Sequence, residues 1–364
     1  MKVLHVLYSG LGGHGNVFFS LVRADVQQKF EYQALFNGIE PVRSEYMQRC
    51  NQLKIPFTSV LKSPGLDFNY YKQLYLQIKA SNADVVFVHS STYILPAFLA
   101  SLFAKKKCRI IVRETQANHL KTKQEWFWLS VALVLTNKIV FLSEAYHLQV
   151  KQKFGFLFRS SKAVVIPNGI DLEKFHPKEG EVSTEITIGM QSRLVVIKDH
   201  RTLIAAFNLL QQRHPNERFK LSIAGDGECM ADLTQYASTI QAKNQIFFTG
   251  LLGESALVNF MYTLDIYVHA SFGETMSTAI MQAMACGLPV IASDVNGINN
   301  MLQDELTGIL VPIKNVEAMV AALEKCVFDK EFSQKIASNA SRFAIDNYSN
   351  SVMFTKYLPV FYGA

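Results

Sequence analysis

The sequence contains no C-x-x-C pair, no apolar run long enough to span a membrane and no metal-binding motif. Its longest apolar candidate, Trp126 to Leu135, covers about half of the roughly 20 residues that a membrane-spanning helix needs. The first residues, MKVLHVLYSG, reach Gly10 too soon for a signal peptide and are typical of a first buried strand. Neither a D-x-D pair nor a cluster of His, Asp and Glu with the spacing of metal ligands occurs. We therefore expect a cytoplasmic protein without a bound metal, and we expect reduced thiols at Cys50, Cys108, Cys229, Cys286 and Cys326.

The chain of 364 residues is 49% hydrophobic and 18% charged, which fits a globular protein with two domains. Its charge is unevenly distributed. Residues 1–165 hold 21 Lys and Arg against 9 Asp and Glu, whereas the remainder holds 15 against 21. The basic half either faces an anionic partner, such as a lipid headgroup or a pyrophosphate, or is simply solvated. Neither a nucleic-acid-binding module nor aromatic-basic interleaving occurs, so we expect no nucleic acid partner.

Short β-rich apolar runs alternate with helical patterns along almost the whole chain, and this alternation predicts parallel sheets built from βαβ units. Two series of runs predict two doubly wound α/β domains, joined near Val164 to Pro177, with ligands at the carboxyl ends of the strands. The runs are KVLHVLY, DVVFVH, RIIVR, KIVFLS and AVVIP in the first series, and EITIGM, FKLSIAG, QIFFTG, DIYVHA and LPVIASD in the second.

Two loops that follow strands could bind phosphate. The loop YSGLGGHGN carries Gly12 and Gly13 before a helix; it is either a tight βα turn or a place where backbone amides approach a phosphate. After EITIG, the segment MQSRLVVIKDH offers Arg193 and Lys198. These two cations suit a diphosphate, although cations on a surface loop would look the same.

The stretch SFGETMSTAIMQAMACG combines an acid at the start of a helix with an amide two turns later. Glu274 is either an ordinary helix cap or an acceptor of hydrogen bonds from sugar hydroxyls. The amides of residues 275–277 stand at a helix N-terminus, which favours anions. Gln282 lies where it could reach a second pair of hydroxyls.

Together these segments resemble the retaining glycosyltransferases of the GT-B fold, the glycosyl transferases group 1, and the likeness is strongest from Val164 to Val311. The matching stretches are VVIPNGIDLEKFHP, SRLVVIKDHRTLIAA, LSIAGDGE, IFFTG, ASFGETMSTAIMQAMACGLPVIASDVNG and TGILV. The resemblance implies two doubly wound domains facing across a cleft. Residues 1–165 would bind the acceptor, residues 166–345 would bind the donor, and a C-terminal helix over about 346–364 would pack back on the first domain.

The resemblance also implies roles for single residues. Arg193 and Lys198 would bind the donor diphosphate, Glu274 would hold hydroxyls of the transferred sugar, and a loop at Gly12 and Gly13 would close over donor and acceptor. The remaining implied positions are the amides of Thr275, Met276 and Ser277 for sugar and phosphates, Leu251 and Leu252 for the nucleotide base, and His89 as a catalytic histidine of the first domain near the cleft.

Two positions depart from the family pattern. Gln282 replaces the second acid of E-x7-E, which in the family accepts hydrogen bonds from both ribose hydroxyls. An amide offers one acceptor and one donor, so we expect ribose binding to be weaker by roughly 1 to 2 kcal/mol. Glu114 stands where many members carry a histidine; with nearby His119, it would concern the acceptor.

The implied activity is metal-independent transfer of a sugar, with retained configuration, from a UDP- or GDP-sugar. The acceptor would be a glycan or a lipid-linked molecule in bacterial surface polysaccharide or lipopolysaccharide synthesis. Basic residues 105–107, Arg109, Lys121 and Lys123 adjoin the apolar segment 126–135, which predicts peripheral contact with an anionic membrane, or else a buried helix after a solvated loop. Two other functions remain open, a nucleotide-sugar epimerase of the same fold and a non-catalytic partner subunit.

Overall fold

The computed structural model describes residues 1–10, 13–177 and 185–363 and divides into two compact units. The N-terminal unit comprises Met1–Gly169 and Asn350–Ala364, and the C-terminal unit comprises Ile170–Ser349. The division falls directly after Pro167, Asn168 and Gly169, residue types that interrupt regular structure.

The described part of the N-terminal unit contains a sheet of seven parallel strands in the order β3-β2-β1-β4-β5-β6-β7. The strands are β1 (Lys2–Tyr8), β2 (Glu31–Gly38), β3 (Phe57–Leu61), β4 (Val85–Val88), β5 (Arg109–Arg113), β6 (Lys138–Phe141) and β7 (Ala163–Val165). The helices that connect them are α1 (Gly13–Ala24), α2 (Ser44–Gln52), α3 (Phe68–Ser81), α4 (Ile94–Leu102), α5 (Lys123–Leu135) and α6 (Glu144–Phe154).

The order in which strands are added to this parallel sheet reverses at β1. Strand β1 pairs with β2 on one side and with β4 on the other. Strands β2 and β3 are absent from the apolar runs found in the sequence, because polar residues interrupt β2. One of these, Asn37, is fully buried; its amide donates to the Leu7 carbonyl at 2.9 Å and accepts from the Tyr70 hydroxyl at 2.7 Å. A buried polar side chain satisfied in this way is compatible with a central strand.

The described part of the C-terminal unit contains a sheet of six parallel strands in the order β10-β9-β8-β11-β12-β13. The strands are β8 (Ile186–Gln191), β9 (Phe219–Ala224), β10 (Ile246–Gly250), β11 (Ile266–His269), β12 (Val290–Ser293) and β13 (Ile309–Val311). The helices are α7 (His200–Arg213), α8 (Met230–Thr239), α9 (Glu254–Tyr262), α10 (Thr278–Ala285), α11 (Val316–Phe328) and α12 (Lys330–Tyr348).

In this sheet the strand order reverses between β8 and β11, which pair in parallel. The carboxyl ends of these two strands therefore meet at a topological switch point. Helix α10 is buried over most of its length, with Ile280, Met281 and Met284 fully enclosed. Such a helix is fixed in place by packing, and the loop in front of it inherits a defined position.

The last helix, α13 (Asn350–Tyr362), belongs to the N-terminal unit. Its Tyr357 and Phe361 rings lie 5.3 and 5.7 Å from Phe87 of β4. Instead of the one helix predicted over about 346–364, α12 runs to Tyr348 and the extended Ser349 separates it from α13.

The predicted class of two doubly wound, parallel α/β domains is confirmed. Within the described residues, no helix combines the length and the apolar character needed to cross a membrane.

Candidate active site

Glu274 lies in the loop between β11 and α10 and contacts two side chains. One is His269, the last residue of β11, and the other is Lys198, from the loop between β8 and α7. Its Oε1 accepts from Nε2 of His269 at 2.7 Å and forms an ion pair with Nζ of Lys198. Nζ of Lys198 is also 3.3 Å from His269 Nε2. The three groups form one polar cluster at the carboxyl end of β11, called here the Glu274 cluster.

The protonation of His269 follows from its partners. A carboxylate only accepts hydrogen bonds, so the proton between Glu274 and His269 resides on Nε2. Nδ1 is then an acceptor that faces the Tyr267 hydroxyl at 3.1 Å, and this hydroxyl shares its single proton between Nδ1 and the Gln191 carbonyl, which lies 3.2 Å away. Burial, with the nearby charge of Lys198, lowers the pKa of His269 well below its ordinary value, so the ring is neutral. It therefore orients Glu274 by hydrogen bonding without adding a charge.

The charge of Lys198 is more finely balanced. Burial and the neighbouring Arg193 lower the pKa of Lys198 to about 7, while contact with the Glu274 carboxylate favours the charged ammonium. The Lys198 side chain is only 11% exposed. An additional anion near this ammonium would favour its charged form further, which is the behaviour expected of a phosphate-binding lysine.

Backbone contacts join the loop that carries Lys198 to the loop that carries Glu274. The Ile197 carbonyl accepts from the Phe272 amide at 2.8 Å and from the Ser271 hydroxyl at 3.1 Å. The Asp199 amide donates to the Ala270 carbonyl at 3.1 Å. The ion pair therefore rests on two loops that are bonded to each other, so both partners are positioned before any ligand arrives.

Arg193 is exposed in the same loop, which packs on the glycine turn after β9. A Cβ at Gly225, where φ is +141°, would collide with the Ser192 carbonyl, and one at Gly227, where φ is +158°, with the Leu194 carbonyl. These glycines thus allow the close approach of two backbones. The turn also places Gly250 nearby, because the Gly225 amide donates to the Gly250 carbonyl at 2.9 Å.

The N-terminus of α10 begins at Ser277, whose hydroxyl accepts from the Ile280 amide at 3.4 Å. The Ser277 amide, predicted to face sugar or phosphate, donates to the Met301 sulfur at 3.3 Å. Thioether sulfur is a weak acceptor, so a phosphate oxygen would be a stronger partner for this amide. Thr275 and Met276 precede it in the same half-buried segment, on the positive end of the helix.

Gly297 supports Glu274 from behind. Its φ is +95°, and a Cβ there would collide with the Glu274 carbonyl oxygen. The Glu274 amide donates to the Asn296 carbonyl at 3.4 Å. A segment close after β12 therefore packs against the Glu274 backbone.

The residues predicted to contact the ribose and the base of the nucleotide, Gln282, Leu251 and Leu252, lie on α10 and after β10 in the C-terminal unit. Gln282 is half-buried on α10, and its backbone carbonyl accepts from the Cys286 amide at 2.9 Å. Leu251 and Leu252 follow β10; Leu251 is exposed, and Leu252 packs against the core beneath α10. Both leucines lie next to Gly250 and hence beside the glycine turn that supports Arg193.

His89 belongs to the N-terminal unit and is fully buried directly after β4. Its Nε2 is 3.1 Å from His5 Nδ1, and its ring lies 5.7 Å from that of His14. Burial, together with the charge of Arg113, lowers the pKa of His5 and of His14 to about 3 and that of His89 well below its ordinary value. These three rings are therefore neutral and form a cluster in which His5 and the predicted site residue His89 are fully buried and His14 is half-buried.

Glu114 is also buried in the N-terminal unit, directly after β5. It lies 3.4 Å from Lys121 Nζ, and its Oε1 accepts from the Gln116 amide at 3.2 Å. Gly13 is the exposed first residue of α1, whereas Gly12 lies outside the described residues. In this structure Glu114 forms an internal ion pair on a short loop.

Sequence reasoning missed His269, Tyr267 and Gly297. His269 left a signal, because it is the one polar residue at the carboxyl end of the apolar run IYVH, where an open α/β sheet binds ligands. Gly297 left none, since its need for a positive φ depends on the position of Glu274. Over residues 1–10, 13–177 and 185–363, no group of three or more His, Cys, Asp or Glu side chains is placed to hold a metal ion.

Comparison with known proteins gives the class of this molecule. The chain is similar in fold to HepE from Anabaena, solved with UDP and glucose, with a TM-score of 0.83 and 18% identity over 100% of both chains. Two parallel α/β units of this kind, with polar groups at the carboxyl ends of the strands, define a GT-B protein.

Two family descriptions match the sequence. Glycosyl transferases group 1 matches residues 171–343, and Glycosyltransferase Family 4 matches residues 11–174. Residues 171–343 thus belong to the glycosyl transferases group 1 and residues 11–174 to Glycosyltransferase Family 4, and the two matches confirm the resemblance to group 1 glycosyltransferases.

Two curated relatives match the chain over part of their length. An Escherichia coli UDP-Gal:alpha-D-GlcNAc-diphosphoundecaprenol alpha-1,3-galactosyltransferase shares 27% identity over 296 residues, 77% of this chain and 75% of that protein. The alpha-monoglucosyldiacylglycerol synthase of Streptococcus pneumoniae shares 27% over 159 residues, 40% of this chain but only 36% of that enzyme. The second likeness thus covers about a third of the relative's length.

Proposed function

We propose that the protein transfers a sugar from a nucleotide-diphosphate sugar, UDP- or GDP-linked, to a glycan or lipid-linked acceptor, with retention of anomeric configuration. The Glu274 cluster carries this proposal. It places an acceptor for sugar hydroxyls and a largely buried ammonium just before the N-terminus of α10 in the C-terminal unit. We propose this unit, residues 170–349, as the donor-binding domain.

The proposed donor site divides its work by charge. Lys198 and Arg193 neutralise the diphosphate, and the amides of Thr275, Met276 and Ser277 at the start of α10 add partial positive charge. When the sugar leaves, negative charge grows on the diphosphate. Donors that are already in place stabilise that charge without reorganisation, which is the largest contribution expected in such a site. In the proposed front-face mechanism, the leaving diphosphate also helps to deprotonate the acceptor.

Glu274 and Gln282 take different parts of the donor. Glu274, oriented by His269, accepts from hydroxyls of the transferred sugar. Gln282 meets the ribose with one acceptor and one donor, so it binds two hydroxyls less strongly than a carboxylate would. Leu251 and Leu252 would border the base. We propose no metal in this mechanism, and activity in the presence of excess EDTA tests that part.

The proposed acceptor is lipid-linked or glycan, and residues 1–165, with the C-terminal helix, would bind it. The similarity to an enzyme whose name specifies a diphosphoundecaprenol-linked acceptor supports this choice. A bacterial surface polysaccharide or lipopolysaccharide and peripheral contact with the inner face of the cytoplasmic membrane follow as parts of the proposal. His89 and Glu114 would contribute to this domain, His89 by supporting the buried face of the sheet.

Two alternatives are kept open. An epimerase of the same fold would also bind a nucleotide sugar, and a non-catalytic subunit would keep the fold with a weak donor site. Gln282 favours the non-catalytic subunit, whereas the paired Lys198 and Glu274 favour a working donor site.

A thermal-shift screen with UDP-, GDP-, ADP- and CMP-sugars tests the donor site. We expect a rise in melting temperature that is specific for one nucleotide and absent in a Lys198→Met variant. A shift without sugar transfer but with conversion of the donor to its epimer would identify the epimerase. No shift with any nucleotide would contradict the donor site and favour the non-catalytic subunit.

A further inference from the structure

Helices α3 and α4 lie side by side in the N-terminal unit and border a surface cavity of about 350 Å³. This volume falls at the lower end of the range of about 300 to 1,000 Å³ found for ligand pockets. Apart from one lysine, the walls are apolar or aromatic. The cavity, called here the α3–α4 groove, is lined chiefly by Tyr71, Lys72, Tyr75, Leu95, Leu99 and Phe103.

The outer face of α4 is apolar, which is unusual for a helix that also has a buried face. Ile94, Ala97 and Ala100 pack into the core, and an ordinary surface helix would carry polar residues on its other side. Instead Leu99 is 38% exposed, and Leu102 and Phe103 are 59% and 61% exposed. A contiguous apolar surface of this kind marks a place where another molecule binds.

The charged side chains of the two segments that form the groove are all positive. Neither residues 68–82 nor residues 94–107 contain an Asp or Glu, whereas they contain Lys72, Lys79 and the run Lys105 to Lys107. Lys79 lies over the Phe103 ring, with Nζ 5.8 Å from its centroid. Lys106 pairs with Asp84 at 2.7 Å, but Lys72, Lys105 and Lys107 are exposed at the edge of the apolar surface.

We propose that the α3–α4 groove and the exposed face of α4 bind the surface of an anionic lipid bilayer, with a lipid chain seated in the groove. Apolar side chains would enter the acyl boundary while the lysines meet the headgroups. A second copy of the chain is a poorer occupant, because a two-fold contact would bring the same lysines face to face.

This surface differs from the one favoured by the sequence alone. Helix α5 carries the segment Trp126–Leu135, but Leu129, Ala132 and Leu133 are buried and both of its tryptophans pack on the core. Two of the nearby cations are also engaged, since Lys121 pairs with Glu114 and Arg109 donates to the Phe361 carbonyl. The cations at 105–107 remain part of the proposed contact, but the apolar part moves from α5 to α4.

The inference rests on the proposed function only for the expectation that the acceptor is carried by a lipid. Bilayer binding is measured without donor or acceptor. The two proposals can therefore be refuted independently of each other. A variant that loses vesicle binding but keeps its nucleotide-induced thermal shift has a defect in the groove and an intact donor site.

The test is flotation of the full chain with vesicles of equal parts phosphatidylglycerol and phosphatidylcholine, and with pure phosphatidylcholine, at low and high salt. Two variants probe the groove, Leu99→Ser with Phe103→Ser, and Lys105→Gln with Lys107→Gln. Matched controls are Phe127→Ser with Val134→Ser on α5, which are 57% and 53% exposed, and Lys330→Gln with Lys335→Gln in the C-terminal unit.

We expect the wild-type chain to float with the anionic vesicles and to be released by high salt. Each neutralised lysine should weaken binding roughly fivefold, so the lysine pair should weaken it by about 25-fold. The apolar pair should weaken binding at least about tenfold, and both controls should bind as the wild type does. An unchanged melting temperature verifies the fold of each variant, and the lysine pair provides a second probe if the apolar pair is unstable.

Three results would overturn the proposal. The wild-type chain could fail to float with anionic vesicles, or both groove variants could bind as tightly as wild type. A loss confined to the α5 control would assign the contact to α5 instead. If the apolar pair abolished a dimer in sedimentation equilibrium without any vesicle binding by the wild type, the groove would be a contact between copies of the chain.

Discussion

Replacing Glu274 by Gln tests how the donor site depends on charge. The amide has nearly the shape of the carboxylate. His269 Nε2, which lies 2.7 Å from Oε1 of Glu274 in the wild-type chain, can therefore still donate to the amide oxygen of the variant. What changes is the charge next to Lys198, whose pKa burial and Arg193 already lower to about 7. Without the carboxylate, the pKa of this lysine should fall further.

Two effects of different origin follow. A hydrogen bond to a charged group contributes about 1.5 to 3 kcal/mol and a neutral one about 0.5 to 1.5, so sugar binding should weaken about five- to thirtyfold at every pH. Binding of the free nucleoside diphosphate should respond through Lys198. That ammonium is present below its pKa and is lost as pH rises through it, so a lower pKa moves the loss of affinity to lower pH.

Calorimetric titration of the nucleoside diphosphate between about pH 5.5 and 8 measures the second effect. We expect Glu274→Gln to bind nearly as wild type at the acid end and about tenfold more weakly at the alkaline end, where one pKa unit corresponds to a factor of ten. Lys198→Met is the control, because it should bind weakly with no such pH dependence. Equal affinities of wild type and Glu274→Gln at about pH 8 would refute the role given to the ion pair.

Three further predictions concern single residues. Gln282→Glu should keep donor affinity or raise it by up to about thirtyfold, because a carboxylate accepts from two ribose hydroxyls. A clear loss in the same titration would contradict the ribose role. Gly297→Ala should lower the free energy of unfolding by about 3 kcal/mol and weaken donor binding. The control Gly65→Ala, at φ +82° in open space, should lower the free energy of unfolding by about 1 kcal/mol and leave donor binding intact. Similar losses from both substitutions would show that Gly297 does not support Glu274. Because burial lowers the pKa of His5 to about 3, the unfolded state binds the extra proton, so stability should fall as pH drops from about 6.5 toward 3. His5→Gln should reduce that slope by about 1.4 kcal/mol per pH unit in denaturant titrations, and an unchanged slope would contradict this account.

Much of the fold could be predicted because its strands are apolar on both faces. The run KVLHVLY is β1 in full, and RIIVR is β5 in full. Strand β2 escaped notice because Gln33 and Asn37 interrupt its apolar pattern, and the satisfaction of Asn37 by Leu7 and Tyr70 depends on tertiary contacts. Strand β3 is half exposed and therefore lacks a continuous apolar run.

The candidate site was predictable where a residue follows a strand. Arg193, Lys198 and Glu274 all stand after strands of one sheet, so their approach could be expected from topology. The support of Glu274 by His269 and Gly297 could not, because it depends on the path of loops after β11 and β12. The burial of His89 was likewise hidden, since a lone histidine after a strand looks the same whether it faces ligand or core.

Amide hydrogen exchange with and without the nucleotide sugar found in the thermal-shift screen tests the central claim most directly, because it reports which backbone groups the donor protects. We predict that protection increases in peptides covering residues 193–199 and 271–282, and that Lys198→Met abolishes the increase. Binding of the donor without added protection in either segment would contradict the assignment of the donor site to the Glu274 cluster.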